Sequence, residues 1–409
     1  MKLIIIGTGS RGRVYARLAQ EYGAKIVAVA DPNEEHLLIF ADKFNIPKNG
    51  LYKSWEEVFA VEKFADAVIV STPDRVHYGP AMAALEKGYH VLLEKPMSPV
   101  EQECRNMVEK SREKDLIFMV CHVLRYAPFY EKLKEIIEEG RIGQIINLQH
   151  TENVAYWHFA HSFVRGIFRN EAVSSPWILA KSCHDLDIIT YLMDKKCKSV
   201  ISKGNLMHFK KENSPEGAPE YCLDKCPHEK TCQYFAPALY LKQITNVTWP
   251  SDVISVDTSF ASRFEALKKG PYGRCVYRCD NDMVDHQSAI FEMEDGSTAT
   301  FNMIGFSSEN TRTIRIYGTK GDIRAHQEKN EIEIHDFLTG RKELVEIDKS
   351  AIRSSHGGGD ERLLKDFLDS VSGKPSEKRT SASNSLQSHL MAFAAEKSRK
   401  EGRTVEIYY

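Results

Sequence analysis

A chain of 409 residues is long enough for two or three domains of ordinary size and excludes a small disulfide-held scaffold. Its 55 Lys and Arg nearly balance 57 Asp and Glu, so no overall field draws it to nucleic acid or an anionic membrane, and a small molecule is the expected partner. With 42% apolar, 10% aromatic and 27% charged residues, the composition is that of a self-folding globular protein rather than a disordered or collagen-like one.

Met1 leads at once into Leu3-Ile4-Ile5-Ile6 and a glycine, which is too short and wrongly flanked for a secretory signal. No apolar run approaches a membrane span, so a cytoplasmic location is expected. Over residues 1–121, short β-branched runs (Leu3 to Ile6, Lys25 to Ala30, Ala67 to Val70, His90 to Leu93, Ile117 to Val120) read as buried parallel strands. The stretches between them, Arg11 to Tyr22, Asn33 to Phe44, Tyr78 to Lys87 and Val100 to Lys114, carry apolar residues at helical spacing. The alternation predicts a doubly wound α/β sheet.

Gly7-Thr8-Gly9-Ser10-Arg11-Gly12 matches G-x-G-x-x-G and lies where a dinucleotide fingerprint must, directly after the first strand and at the start of the first helix. Gly7 suits the tight turn, Gly9 lets backbone approach a pyrophosphate, and Gly12 allows the helix to pack close to the sheet. The helix start at Ser10 and Arg11 then faces the anion. Asp31 ends the second strand, 24 residues after Gly7, at the position of a ribose-binding carboxylate. With Glu34 and Glu35 beside it and no nearby Arg, NAD is expected over NADP. The alternative is an Asp that merely caps the next helix.

Further along, Ser71-Thr72-Pro73 with His77, and Glu94-Lys95-Pro96, follow the fourth and fifth strands, at the strand ends where ligands of open sheets bind. A lysine between Glu94 and a rigid proline is placed to reach a substrate, and a cis Lys-Pro bond would fix its aim. On its own, Lys95 reads as a solvated surface residue, because lysine is usually exposed.

After Tyr126 the pattern changes. A helix from about Pro128 to Glu139 leads to Ile145 to His150, and later runs (His286 to Glu292, Ser297 to Met303, Thr311 to Tyr317, Glu331 to Asp336) alternate as in an antiparallel sheet with one covered face. Glu294-Asp295-Gly296 and Gly318-Thr319-Lys320-Gly321 read as hairpin turns. Residues 203–280 are irregular and rich in Cys, and the tail from Asp360 is helical again. The expected division is therefore 1–121, a substrate domain 122–359 and a C-terminal helical segment 360–409 packing back on the core. Arg125 and Tyr126, the crowded Tyr156, Trp157, His158, His161 and Arg165, and His356 before three glycines mix flat apolar faces with hydrogen-bond donors as a sugar site requires.

Gly7 to Gly12, Asp31, Thr72-Pro73 with His77, Glu94-Lys95-Pro96 and Lys181-Ser182-Cys183-His184-Asp185-Leu186-Asp187 together resemble the Gfo/Idh/MocA oxidoreductases, the group of glucose-fructose oxidoreductase and inositol dehydrogenase, over essentially the whole chain. The resemblance implies an N-terminal Rossmann domain, a C-terminal α/β domain with a large open, mainly antiparallel sheet, and nicotinamide between them. It also implies oxidation of a sugar or polyol alcohol at Lys95 and His184. Such chemistry needs a base for the hydroxyl proton and a donor for the forming alkoxide. An imidazole suits the base and an ammonium the donor, so His184 is the expected base and Lys95 its electrostatic partner. Without the resemblance, His184 is equally a core histidine on its helix.

Many members carry an Asp four residues before this histidine, where Ala180 stands here, followed by Lys181. Lys181 is therefore a third catalytic candidate, in the proton path or on substrate oxygens. The alternative is a plain i to i+4 pair with Asp185.

Cys222, Cys226 and Cys232 with Cys275 suggest a zinc-clipped loop, with Cys279 or His228 as other fourth ligands. Free thiols, a disulfide or an iron-sulfur site are the alternatives. Three functions follow: an NAD-dependent dehydrogenase acting on a sugar, polyol or glycoside; a glycoside-cleaving enzyme that retains NAD through transient oxidation and elimination; and a non-catalytic cofactor sensor. An exposed sheet face favours a homodimer or homotetramer.

Overall fold

Runs of Ile, Val, Leu and Ala without polar alternation must be covered on both faces. In the computed structural model, which describes residues 1–347, 356–374 and 379–409, the N-terminal runs are so covered. In chain order the elements are β1 (Lys2–Ile6), α1 (Ser10–Glu21), β2 (Lys25–Ala30), α2 (Glu34–Phe44), β3 (Leu51–Tyr52), α3 (Trp55–Ala60), β4 (Ala67–Val70), α4 (Tyr78–Glu86), β5 (His90–Leu93), α5 (Glu101–Glu113) and β6 (Phe118–Val120). The six strands are parallel in the order β3-β2-β1-β4-β5-β6. Strand order reverses between β1 and β4, which opens a crevice beyond their carboxyl ends. β3 and α3 were not foreseen, because a two-residue strand is too short for periodicity to register.

The second half continues with α6 (Pro128–Glu138), β7 (Ile145–Ala155), α7 (Tyr156–Phe159), α8 (Trp177–Ala180), α9 (Cys183–Met193), β8 (Cys197–Asn205), α10 (Ala236–Tyr240), α11 (Phe260–Lys269) and β9 (His286–Met293). Then come β10 (Thr298–Ser307), β11 (Thr311–Gly318), β12 (Gly321–His326), β13 (Glu331–Asp336), β14 (Lys342–Glu346), α12 (Gly359–Val371), α13 (Ala382–Glu401) and β15 (Val405–Glu406). Nine strands form one sheet, β14-β13-β12-β11-β7-β10-β9-β8-β15, antiparallel except where β10 runs parallel to β7. On β9, Gln287, Ala289, Phe291 and Met293 point inward while Ser288 and Ile290 face out, as the alternation requires. The β9–β10 hairpin turns at Gly296, which takes a positive φ of 85°.

Helices α6, α9 and α13 cover the inner face of this sheet, and their apolar residues join its core. α12 instead buries Leu363, Leu364 and Phe367 in the core that holds Leu3 of β1 and Tyr15 of α1. α13 spans both layers: the residue before its cap, Thr380, accepts the Val120 N–H at 2.9 Å, and Met391 and Ala395 enter the core of the larger sheet. Among the described residues, no helix is long and apolar enough to cross a membrane.

Candidate functional site

The glycine turn between β1 and α1 is shaped by steric need. Gly7 has φ +96°, and a Cβ there would stand 2.7 Å from the Ser71 carbonyl oxygen. A Cβ on Gly12 would meet the Gly7 carbonyl oxygen at 2.1 Å, so helix and turn touch without room for a methyl group. Gly9 is different: nothing lies within 4 Å of its would-be Cβ. Gly9 also caps α1 with no side-chain acceptor, and no acidic residue sits in the first turn at Ser10 and Arg11. A helix start of this kind is an anion cradle. Nearby, the Thr72 hydroxyl is buried without a hydrogen-bond partner. Open space, uncapped amides and a spare hydroxyl fit a dinucleotide pyrophosphate. Gly12→Ala is expected to weaken NADH binding by about tenfold or more, read by NADH fluorescence, because α1 must move away from the turn that forms the cradle.

Asp31 ties this turn to the end of β2: Oδ2 accepts from the Thr8 amide at 2.9 Å and the Thr8 hydroxyl at 2.6 Å, and Oδ1 from the Asn33 amide at 2.9 Å. The cap of α2 is Asn33, which accepts from the His36 amide, so Asp31 is not the helix-capping residue. Arg11 turns inward. Its Nε donates to Glu94 at 2.6 Å, and its Nη2 donates to the Tyr15 hydroxyl at 2.5 Å and to Asp360. Burial alone would push the Glu94 carboxyl up, but Arg11 and Lys95 outweigh it and hold Glu94 below the usual carboxylate range. Ser71 donates to the Gly7 carbonyl at 2.9 Å, and Pro73 opens the short 3-10 turn Asp74–Val76. His77 is fully buried, its ring nitrogens 2.6 Å from the Pro96 oxygen and 2.7 Å from the Thr72 oxygen.

The Lys95–Pro96 peptide is cis. Lys95 Nζ donates at 2.9 Å to the carbonyl of Ala180, four residues before His184, so the β5 loop and the end of α8 meet at the lysine head. His184 is nearly buried, and its ring lies 5.7 Å from that of His122.

Lys181 faces a buried ion cluster. Its Nζ is 3.8 Å from Glu152 Oε1, and Glu152 also accepts from Ser182 Oγ at 2.7 Å and Arg312 Nη2 at 2.9 Å. Arg312 Nε donates to Asp185 at 2.6 Å, and His150 Nε2 lies 2.7 Å from the same oxygen. Asp185 is thus spent on Arg312 and His150, and Lys181 pairs with Glu152 instead of Asp185. Burial lowers the Lys181 pKa, and Arg312 and Lys95 push the same way. Burial and the neighbouring Asp185 raise that of Glu152. Asp185 goes below the usual range despite its burial, because Arg312 and His150 favour the carboxylate.

Behind this cluster stands an aromatic wall. Trp157 and Trp249 have ring centroids 5.5 Å apart, with His158 4.7 Å and His161 5.2 Å from Trp249. Burial, with Lys181 beside it, lowers His158 to about 3; burial with Arg165 does the same to His161. Tyr156 packs edge-on against Tyr234.

Three residues expected on the substrate side are engaged elsewhere. Arg125 is buried and grips Asp187 through Nε at 2.6 Å and Nη2 at 2.7 Å, and the Tyr126 hydroxyl donates to Asp366 at 2.6 Å. Arg165 points into the irregular insertion, donating to the carbonyls of Arg274 and Tyr234, both at 2.7 Å. The side chain of His356 lies outside the described residues. The zinc expectation is corrected too: among the described residues no three His, Cys, Asp or Glu side chains are grouped to hold a metal ion, and all nine cysteines, Cys222, Cys226, Cys232 and Cys275 included, are free thiols. The four thiols line one small cavity together with Tyr234 and Val276.

Sequence reasoning missed Glu152, Arg312, Trp249 and His122. A signal existed for the first: on β7 the inward positions His150 and Glu152 are polar, which an alternating strand reserves for a paired charge. Arg312 is the direct cross-strand partner of Glu152 between β11 and β7, and that register is not readable from either strand alone.

Comparison with known proteins agrees with this architecture. The family described as "Oxidoreductase family, NAD-binding Rossmann fold" matches residues 1–122, and its C-terminal alpha/beta domain matches residues 134–407. A 2,7-anhydro-N-acetylneuraminate hydratase of Mediterraneibacter gnavus is 29% identical over 50% of this chain and 52% of its own. The scyllo-inositol 2-dehydrogenase (NAD(+)) of Bacillus subtilis is 24% identical over 68% of this chain and 70% of its own. The chain spans about half the length of several curated relatives it matches. A levoglucosan dehydrogenase solved with NADH superposes with a TM-score of 0.72 at 18% identity, covering 100% of this chain and 99% of that one, which shows a shared fold.

Proposed function

The chain belongs to the Gfo/Idh/MocA oxidoreductase family, and on that premise we propose that it oxidises a secondary alcohol of a sugar, polyol or glycoside with NAD. The contact between Lys95 Nζ and the Ala180 carbonyl carries this reading, since it brings the lysine head to the end of α8, four residues before His184 in the chain. NAD, when bound, supplies the hydride acceptor. Gly7, Thr8, Gly9, Gly12, Asp31 and Thr72 would hold it, and a 2′-phosphate would meet the Asp31 carboxylate, which disfavours NADP. His184 takes the hydroxyl proton, and the Lys95 ammonium steadies the oxygen as negative charge develops on it. Trp157, His158 and Trp249 offer flat faces to a sugar ring. Ile146, Ile201 and Ile290, exposed on the outer face of the large sheet, support a homo-oligomer.

The pairing of Lys181 with Glu152 favours a second reading. An ammonium and a carboxyl 3.8 Å apart, whose pKa values are pushed toward each other, form a proton-exchanging pair of the kind that elimination and water addition after transient oxidation require. A screen of sugars, polyols, glycosides and sugar acids, followed by NADH absorbance and by glycoside cleavage, tests both. The expected result is reduction of NAD to NADH at least about tenfold more efficient than reduction of NADP to NADPH. Cleavage without NADH accumulation supports the second reading, and inertness of the whole panel with both cofactors refutes both.

A further inference from the structure

The loop that carries Lys95 is gripped residue by residue from within. Glu94 accepts from Arg11 at 2.6 Å and from the Tyr15 hydroxyl at 2.7 Å, and takes the Lys95 amide at 3.1 Å. The Pro96 oxygen lies against His77 at 2.6 Å. The next amide, Met97 N–H, donates at 2.9 Å to Nε2 of His389, which comes from α13, 292 residues later.

His389 is fully buried, and its hydrogen placement follows from its neighbours. Nδ1 lies 2.8 Å from the Ser385 carbonyl, which can only accept, so Nδ1 carries the hydrogen and Nε2 presents its lone pair to Met97. Only the neutral ring satisfies both, and burial with His122 alongside lowers its pKa to about 3. The ring also stacks on His122, with centroids 5.4 Å apart and planes 3° from parallel. His122 in turn packs 5.7 Å from His184, with its Nδ1 2.8 Å from Asp187. One buried histidine thus holds the backbone two residues beyond Lys95 and, through His122, backs the ring of His184.

We propose that His389 is a positioning residue that sets the Lys95 head against His184 by fixing the Met97 amide. The inference rests on the reading that Lys95 and His184 act on one substrate carbon. A bound loop amide left without its acceptor would rotate toward another, and a shift of about 1 Å at the lysine head is enough to cost about a hundredfold in rate.

The test compares His389→Leu, which removes the acceptor, with His389→Gln, whose side-chain carbonyl replaces it. Reductive methylation of Lys95 is measured by mass spectrometry against the exposed Lys53, together with NADH affinity and, on the alcohol found in the screen, kcat and KM. In the Leu variant the relative labelling of Lys95 is expected to change by about threefold or more and kcat to fall by about a hundredfold, with KM and NADH affinity within about threefold of wild type. The Gln variant is expected to return both to within about fivefold of wild type. Unchanged Lys95 labelling in the Leu variant, or a Gln variant as impaired as Leu, overturns the proposal. If the wild type oxidises nothing while labelling follows the expected pattern, the function reading fails and the positioning role stands. Should the Leu variant not fold, His389→Asn, too short to reach Met97, replaces it with the same expected outcome.

Discussion

Lys95→Met is expected to lower turnover by about a thousandfold while NAD binds within about threefold of wild type. The reason is the placement of the amine. Its Nζ meets the Ala180 carbonyl at 2.9 Å at the end of α8, four residues before His184 in the chain, whereas the cradle for the dinucleotide is formed by Gly7, Gly9 and Gly12, whose geometry does not depend on that ammonium. Met keeps the length and apolar stem of lysine but offers no charge to a developing alkoxide. Lys95→Arg restores the charge with a wider, planar head and is expected to recover only a small part of the rate. His184→Asn should cost about a hundredfold to ten-thousandfold, since a general base contributes in that range. Steady-state rates on the screened alcohol, with NADH titration of each variant, check this. Full turnover in either Lys95→Met or His184→Asn would remove the residue from the reaction.

Asp187→Ala is expected to destabilise the protein by about 3–5 kcal/mol, because it strands Arg125 as a buried, unpaired cation. The Asp187 carboxylate is fully buried, holds Arg125 through two hydrogen bonds of 2.6 and 2.7 Å, and lies 2.8 Å from His122. Burial by itself would raise its pKa, but Arg125 and His122 lower it from 3.8 to about 2. A carboxyl depressed in the folded state contributes stability above its unfolded pKa and loses it as pH falls through the folded value. The window is therefore about pH 4 down to pH 2, and the contribution is roughly 2 kcal/mol at about 1.4 kcal/mol per pKa unit. Urea unfolding followed by tryptophan fluorescence should show wild-type stability falling through that window more steeply than the Asp187→Ala variant does. Parallel pH profiles for the two proteins would mean that Asp187 is not the titrating group.

Much of the first domain is legible because its signals are local. The run Leu3 to Ile6 followed by Gly7-Thr8-Gly9 requires a buried strand and a turn free of side chains, whatever the rest of the chain does. Asp31 was placed near the glycine turn by spacing alone, and the structure adds that it holds Thr8 while Asn33 takes the capping task. Arginines were the harder case. Arg11, Arg125 and Arg165 look alike in sequence, as donors beside a crevice, yet each is engaged by protein partners: Glu94 with Asp360, Asp187, and the carbonyls of Arg274 and Tyr234. Nothing in the neighbouring residues signals those partners, which lie from 62 to 349 residues away in the chain.

From the sequence alone come the parallel first sheet, the glycine turn at its switch point and the alternating second sheet, since each depends on a periodicity or motif confined to a few consecutive residues. Tertiary structure alone decides that Arg312 reaches Glu152 and Asp185, that Lys181 lies beside Glu152 rather than pairing with Asp185, and that a histidine of the last long helix holds the amide of Met97. A buried charge or lone pair takes whatever partner the packing brings within about 3 Å, and that choice is made by strand register and helix docking between segments distant in the chain.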